Sequence, residues 1–265
     1  MTADLAQREA EKAIAARGGS LGSPLVVVDE TESTNDDAKR AAREGAPHGA
    51  TWVAETQTRG RGRQGRAWLS PRGENLLASV LLRVACPAVR VPPLALVAGL
   101  AVRDAAARAL GDDARVKVKW PNDVVVRRDG ALKKLAGVLV ESQIAGGKVD
   151  FVVVGFGINV HTRAFPDAIA EIATSLALEG APALDRAAIL ADVLATLDHD
   201  VEHVAFRGLG IVHARLAAHD ALAGREVSVE GIRGTACGID AEGRLLVRKA
   251  DGAIARVASG EVTPA

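Results

Sequence analysis

Thr58-Arg59-Gly60-Arg61-Gly62-Arg63-Gln64-Gly65-Arg66-Ala67-Trp68 sets four arginines among three glycines in one short stretch. Crowded cations repel one another, and each glycine adds backbone entropy that ordering must remove. Such a segment is costly to fix unless an anion fixes it, and backbone N–H groups with guanidinium forks suit a phosphate or a carboxylate. A solvated charge run is the plainer alternative. Gly60-x-Gly62-x-x-Gly65 also has the spacing of a dinucleotide-binding turn. That turn has to open a helix, so that pyrophosphate lies on the helix N-terminus. Here Pro71 and Gly73 follow, then a strand-like apolar run from Asn75 to Arg83, and the intervening positions are arginines. A doubly wound dinucleotide fold is therefore set aside.

Working outward, Thr51 to Thr56 reads as the strand entering this loop. Leu25 to Val28 reads as an earlier strand, leading into Ser33-Thr34-Asn35, which resembles a helix N-cap before Asp36-Asp37-Ala38-Lys39. Gly45 fits the stop of that helix, and residues 3–17 read as an Ala-rich helix ending at Gly18-Gly19. Downstream, Pro92-Pro93 opens a long helix through Leu110, closed by Gly111. Three strands in a meander are expected over 116–127, 134–142 and 148–154, with turns at Asp129-Gly130 and Gly146-Gly147. Helices are expected around 166–178, 185–206 and 210–219. After Gly224 the texture changes to short β-like runs over 226–229, 245–248 and 253–257. A β module of about forty residues is too small to be very stable unless it docks on the main body.

Composition narrows the function. Apolar residues make up 48% of the 265, enough for a core of Val, Leu, Ile and Ala. Lys+Arg and Asp+Glu both total 33, so the chain lacks the basic excess that bulk nucleic-acid or membrane-surface binding needs. An RNA-binding reading of the Arg–Gly run also wants stacking aromatics, and aromatics are 3%. Cys86 and Cys237 have neither disulfide-scaffold nor zinc spacing, which fits a reducing compartment. Asp4, Glu9 and Glu11 occupy the place of a signal-peptide apolar run, and Val91 to Val102 is too short to span a bilayer. A cytoplasmic protein without membrane or DNA partners is expected.

Four further stretches bear on chemistry. His199-Asp200-Val201-Glu202-His203 has a zinc-protease spacing. The helical core stripe Ile189, Val193, Leu197, Val201 and Val204 turns both histidines to solvent, so an ordinary surface is expected there. Lys119-Trp120-Pro121-Asn122-Asp123 presents an amide and a carboxylate at a strand edge, able to orient a phosphate or a magnesium ion, or to form an Asx turn. Lys134-Leu135-Ala136-Gly137-Val138-Leu139-Val140-Glu141 starts a strand with a lysine and interrupts it with a glycine, as where a ligand approaches. Val152-Val153-Val154-Gly155-Phe156-Gly157-Ile158-Asn159 ends another strand on glycines and a lone amide, which a bulge with a hydrogen-bonded core Asn also explains.

Taken in order, Glu32-Ser33-Thr34-Asn35, Gln57 with Gly60-Arg61-Gly62-Arg63-x-Gly65-Arg66-x-Trp68, Lys119-Trp120-Pro121-Asn122-Asp123, Lys134-Leu135-Ala136-Gly137 and Gly155-x-Gly157-Ile158-Asn159 resemble the biotin–protein ligases. The resemblance runs from about Val28 to the C-terminus. It implies an α+β fold: a mixed central sheet flanked by helices, as in class II aminoacyl-tRNA synthetases, and a C-terminal SH3-like barrel. The implied division is a helical extension over 1–24, a biotin- and ATP-binding domain over 25–220 and the SH3-like domain over 221–265. Some family members carry an N-terminal winged helix-turn-helix, for which the residues before Val28 leave no room.

The implied reaction joins biotin and MgATP into biotinyl-5′-adenylate, then passes biotin to a lysine of the biotin carboxyl carrier protein of acetyl-CoA carboxylase. On this resemblance Lys134, Arg61 and Arg63 are the catalytic set. Ser33, Thr34, Asn35, Gln57, Gly60, Arg61, Gly62, Arg63, Lys134 and Gly137 receive biotin. Arg63, Arg66, Trp68, Asn122, Asp123 and Asn159 receive the nucleotide, with Asp123 on Mg2+. Lys133 beside Lys134 is a second candidate lysine. A homodimer is compatible with the family. A lipoate or octanoate ligase on the same fold is the nearest rival, but its Arg-Arg-x-Ser-Gly-Gly-Gly type stretch is missing.

Overall fold

A computed structural model describes residues 5–146, 148–182 and 184–264. Residues 3 and 4 of the expected N-terminal helix, and Gly147 of the expected turn, lie outside them. Seven strands form one sheet: β1 (Leu25–Thr31), β2 (Thr51–Gln57), β3 (Leu76–Leu82), β4 (Val116–Lys119), β5 (Asp123–Arg128), β6 (Ala131–Ala145) and β7 (Lys148–Ile158). Their order is β1-β2-β3-β7-β6-β5-β4. β1 and β2 are parallel and joined through α2 (Thr34–Arg43), whereas the other neighbours are antiparallel, so the sheet is mixed.

Side-chain alternation sorts the two faces. Val80 and Leu82 of β3, with Val152 and Val154 of β7, join a large core beneath α3 (Leu94–Leu110) and α5 (Arg186–Arg207). Each fully buried Leu or Val there contributes about 1.5–3 kcal/mol. α1 (Gln7–Arg17) buries Ala10 and Ile14 in the same core, and Leu5 N–H donates to Glu55 at 2.6 Å. Leu81, Phe151 and Val153 point the other way, to a small cluster under Ala38 and Ala42 of α2. Continuing that parity along β7 puts Gly155 and Gly157 on the α2 face. Ser79 and Leu139 flank Gly155, and Leu77 and Gly137 flank Gly157. With two adjacent strands reduced to glycine, a hollow remains beside α2.

The chain then forms α4 (Asp167–Ala170), α5, a 3-10 turn at Leu209–Ile211 and α6 (His213–Ala218). A second, antiparallel sheet follows: β8 (Glu226–Val229), β9 (Ile232–Ile239), β10 (Leu245–Arg248), β11 (Ile254–Val257) and β12 (Thr263–Pro264), ordered β11-β10-β9-β8-β12. Val227, Leu245 and Val247 are continuous with the main core, which answers the small module's need for support. Trp120 Nε1–H donates to the carbonyl of Gly243 at 2.9 Å, pinning the two sheets together.

The structure departs from or refines the sequence expectations at four points. The strand expected over 116–127 is a hairpin, because the chain reverses at Trp120-Pro121-Asn122 and Val116 pairs with Val126. Pro121 has no N–H for a ladder and Trp120 is drawn to Gly243. The helix expected over 166–178 is a single turn, since the backbone beyond it bonds elsewhere: Ile172 C=O accepts from Lys134 N–H and Leu176 N–H donates to Asn159 C=O. β9 carries no clear strand pattern in the sequence, because Gly234 and Gly238, both at positive φ, break its apolar alternation. Ser33 occupies the N-cap position of α2, but its side chain makes no capping bond. His199 is 78% exposed, and no group of three potential metal ligands occurs among the described residues. No helix among them is long and apolar enough to cross a membrane.

Candidate active site

The hollow beside α2 is lined from three directions: by the first turn of α2, by the Arg–Gly loop between β2 and β3, and by the β4–β5 turn with the start of β6. Its floor is polar. Gln57 Oε1 accepts from Thr34 N–H at 2.8 Å and lies 3.1 Å from Thr34 Oγ1. Ser79 Oγ lies 2.7 Å from Thr34 Oγ1 and 2.6 Å from Asn35 Oδ1. A hydroxyl has one proton and a carbonyl oxygen has none to give. Ser79 therefore donates to Asn35, and Thr34 is left to donate to Ser79 or to Gln57. Asn35 Nδ2 donates to Glu141 Oε2 at 2.7 Å. Both ends of the Asn35 amide thus have partners inside the protein. The other end of the Gln57 amide, Nε2, lies beside Gly60, 3.1 Å from where a Cβ on that glycine would stand. Gly155 is required here, because a Cβ on it would overlap Asn35 Oδ1.

Gly137 and Gly157 face each other across β6 and β7, and the Trp68 indole lies on them. Trp68 Nε1 is buried and has no hydrogen-bond partner among the described residues. Lys134 extends over the same indole, its Nζ 5.5 Å from the ring centroid, and pairs with Asp123 Oδ1 at 2.7 Å. Lys134 lines the cavity and Lys133 does not.

The Arg–Gly loop folds back on itself through an Arg61–Ala67 bridge, with Gln64 in left-handed backbone at the tip. Trp68 N–H donates to Gly60 C=O at 2.9 Å and seats the indole. Arg61 Nη2 lies 2.6 Å from Asp36 Oδ1, and Lys39 Nζ lies 2.9 Å from the same oxygen. Arg61 holds the Asp36 carboxyl down to about 2, with burial opposing and Lys39 assisting. Burial acts against the Lys39 charge, but its bonds to Glu141 and Asp36 outweigh this and raise its pKa. Arg66 pairs with Glu261, from the segment between β11 and β12, and each drives the other further into its charged form. Among the described residues Arg63 pairs with no such carboxylate: Nη1 reaches Asn122 Oδ1 at a long 3.4 Å.

Of the residues picked from sequence, Ser33, Thr34, Asn35, Gln57, Arg61, Gly62, Arg63, Arg66, Trp68, Asn122, Asp123, Lys134 and Gly137 meet at this one cavity. Gly60 stands behind it, where a Cβ would approach Trp68 O and Gln57 Nε2. Asn159 is not brought to the cavity: buried, it donates to Thr174 C=O at 2.9 Å and ties the end of β7 to the 172–176 segment. Asn122 donates to Val138 C=O at 2.7 Å, closing the β4–β5 turn onto β6. Ser79, Lys119, Glu141 and Glu261 went unselected. A lone hydroxyl in the apolar run Leu76–Leu82 marks Ser79, whereas nothing local marks Glu261.

A family model described as the Biotin/lipoate A/B protein ligase family matches residues 27–159, and one described as the Biotin protein ligase C terminal domain matches residues 223–263. The chain is 32% identical to the bifunctional ligase/repressor BirA of Bacillus subtilis, over 91% of this chain and 74% of that protein. It is 41% identical to a biotin--[acetyl-CoA-carboxylase] ligase of Mycobacterium tuberculosis, over 68% of this chain and 65% of that one. A biotin protein ligase from Aquifex aeolicus, solved in complex with biotin and ATP, matches with a TM-score of 0.74 and 30% identity, covering 90% and 97% of the two chains.

Proposed function

The chain belongs to the biotin/lipoate A/B protein ligase family, and from that premise we propose that it is a biotin–protein ligase. It activates biotin with MgATP and transfers the biotinyl group to a lysine of the biotin carboxyl carrier protein of acetyl-CoA carboxylase. The observation that carries this reading is the meeting of Lys134, Arg61 and Arg63 over a floor of fixed amides and hydroxyls. The relatives support it: one is named for that carboxylase, and the Aquifex neighbour was solved with biotin and ATP.

The chemical difficulty is repulsion, because a carboxylate oxygen has to attack an α-phosphorus that is itself anionic. A lysine about 4 Å from both contributes up to roughly 4 kcal/mol at an effective dielectric near 20. Lys134 supplies that cation, moving from Asp123 to the reacting oxygens, and stabilises the charge of the transition state. Arg61 and Arg63 clamp carboxylate and phosphates. One P–O bond forms, another breaks, and pyrophosphate leaves. The acceptor lysine's amine, as free base, then attacks the acyl carbon, expels AMP and loses a proton as the amide forms. The loop and Trp68 cover the mixed anhydride, which water would otherwise hydrolyse. Asp123, which lines the cavity, would hold a magnesium ion, and the ion would supply neutralisation of phosphate charge.

Ser33 and Gln57 offer polar partners to a ureido ring, with Asn35 as the post that holds this floor in place. Such groups go unpaired beneath lipoate's dithiolane or an alkyl chain, which disfavours both. The test is exchange of labelled pyrophosphate into ATP with biotin, lipoate or octanoate offered separately. Exchange should depend on biotin. Exchange with lipoate and not with biotin overturns the reading.

A further inference from the structure

Glu141 belongs to none of the site residues selected from sequence, yet it joins two parts of the site. It lies on the α2 face of β6, opposite Val153. One carboxylate oxygen accepts from Asn35 Nδ2 at 2.7 Å, and the other accepts from Lys39 Nζ at 2.7 Å. Lys39 also reaches Asp36 Oδ1 at 2.9 Å, the oxygen that holds Arg61 Nη2 at 2.6 Å. An unbroken polar path therefore runs from Thr34 and Ser79 through Asn35, Glu141, Lys39 and Asp36 to Arg61. The side chains of Glu141, Lys39 and Arg61 are 28%, 21% and 34% exposed, so solvent screens them only in part.

We propose that Glu141 and Lys39 are a positioning pair that sets how firmly the Arg–Gly loop is seated through Arg61. Glu141 touches the floor through Asn35 and acts on the loop through Lys39 and Asp36. The sign of the effect follows from competition. Lys39 and Arg61 bind the same Asp36 oxygen, and Glu141 draws Lys39 partly away from it. With Glu141 neutral, Lys39 falls wholly on Asp36 and Arg61 is held less. With Lys39 neutral, Arg61 has Asp36 to itself and also feels the Glu141 charge, so it is held more.

The significance for catalysis rests on the reading of Arg61 given above, but the test needs no substrate. Limited trypsinolysis of the substrate-free protein, with fragments assigned by mass spectrometry, reports cleavage after Arg59, Arg61, Arg63 and Arg66. Glu141→Gln should raise loop cleavage about 3- to 10-fold and Lys39→Met should lower it by a similar factor, a coupling of ordinary size for a half-buried network. In an Arg61→Ala background both substitutions should leave cleavage after the remaining loop arginines unchanged. General damage to the fold moves both variants in one direction and survives Arg61→Ala. Either of those results, or no change in either variant, overturns the proposal. Failure of biotin-dependent exchange would instead remove the functional reading and leave this one standing.

Discussion

Replacing Gly157 by alanine tests whether Trp68 rests on the glycine pair. A Cβ at that position would lie 2.5 Å from Trp68 Cε2 and 2.8 Å from both Cζ2 and Nε1. Carbon atoms sit comfortably about 3.5–4.0 Å apart, so the indole has to retreat by about 1 Å. Gly157 is not at positive φ, so alanine is otherwise at ease in the strand and gains about 0.5–1 kcal/mol over glycine. Overpacking of this kind costs about 1–3 kcal/mol, which leaves a net loss. The melting temperature should then fall by a few degrees, given about 2–4 °C per kcal/mol for a domain of this size. Displacement of a site group by about 1 Å also costs on the order of 100-fold in rate, so biotin-dependent exchange should fall far more than stability does. The control reverses the sign: in a Trp68→Ala background the clash is gone, and Gly157→Ala should raise the melting temperature. Calorimetry on the four proteins, with tryptophan emission to follow Trp68, reads both effects. A single variant that melts no lower than its parent and keeps the parent's emission refutes the packing.

Other outcomes follow from the same geometry. Lys134→Met should cut pyrophosphate exchange by about 100- to 1,000-fold, the loss of up to roughly 4 kcal/mol of charge stabilisation, while Lys133→Met should stay within about 2-fold, as steady-state exchange would report. Trp120→Phe removes the bond to Gly243 and should cost about 1 kcal/mol in denaturant unfolding, whereas Trp120→Ala should cost about 3–5 kcal/mol by opening a cavity between the sheets. Asp36 is depressed in the folded protein, so its contribution is full above the ordinary aspartate range and lost as pH falls towards about 2. With the pair one-third exposed, that contribution is about 1 kcal/mol, and unfolding of Asp36→Asn should lose that much less than the parent between pH 5 and 2 (approximate limits).

Much of the site was legible because its residues break local rules. Glycine in a strand at Gly137 and Gly157, arginine beside glycine from Arg59 to Arg66, and a lysine running into the apolar stretch 135–139 each need a reason beyond packing. The sheet was legible where runs were continuous, as in Leu76–Leu82, and the helix Leu94–Leu110 was legible because Pro and Gly bound it. The failures have tertiary causes. The β4–β5 hairpin turns without a glycine, and its anchor at Gly243 is 123 residues away in sequence. The 172–176 segment looks helical, but its backbone serves as ladder for Lys134 and Asn159. Asn35 was legible as a cavity residue, but its bonds to Ser79 and Glu141 were not, since only the sheet register brings those two residues to it. Glu261 reaches Arg66 from the far end of the chain, a meeting no local pattern encodes.

The central claim is that one cation bridges two anions in this hollow, and a crystal structure with biotin and a non-hydrolysable ATP analogue tests it most directly. Lys134 Nζ should have left Asp123 for hydrogen bonds to the biotin carboxylate, with Arg61 or Arg63 on the same oxygens or on the phosphates. A complex in which Lys134, Arg61 and Arg63 all face bulk water, with the carboxylate bound elsewhere, contradicts it.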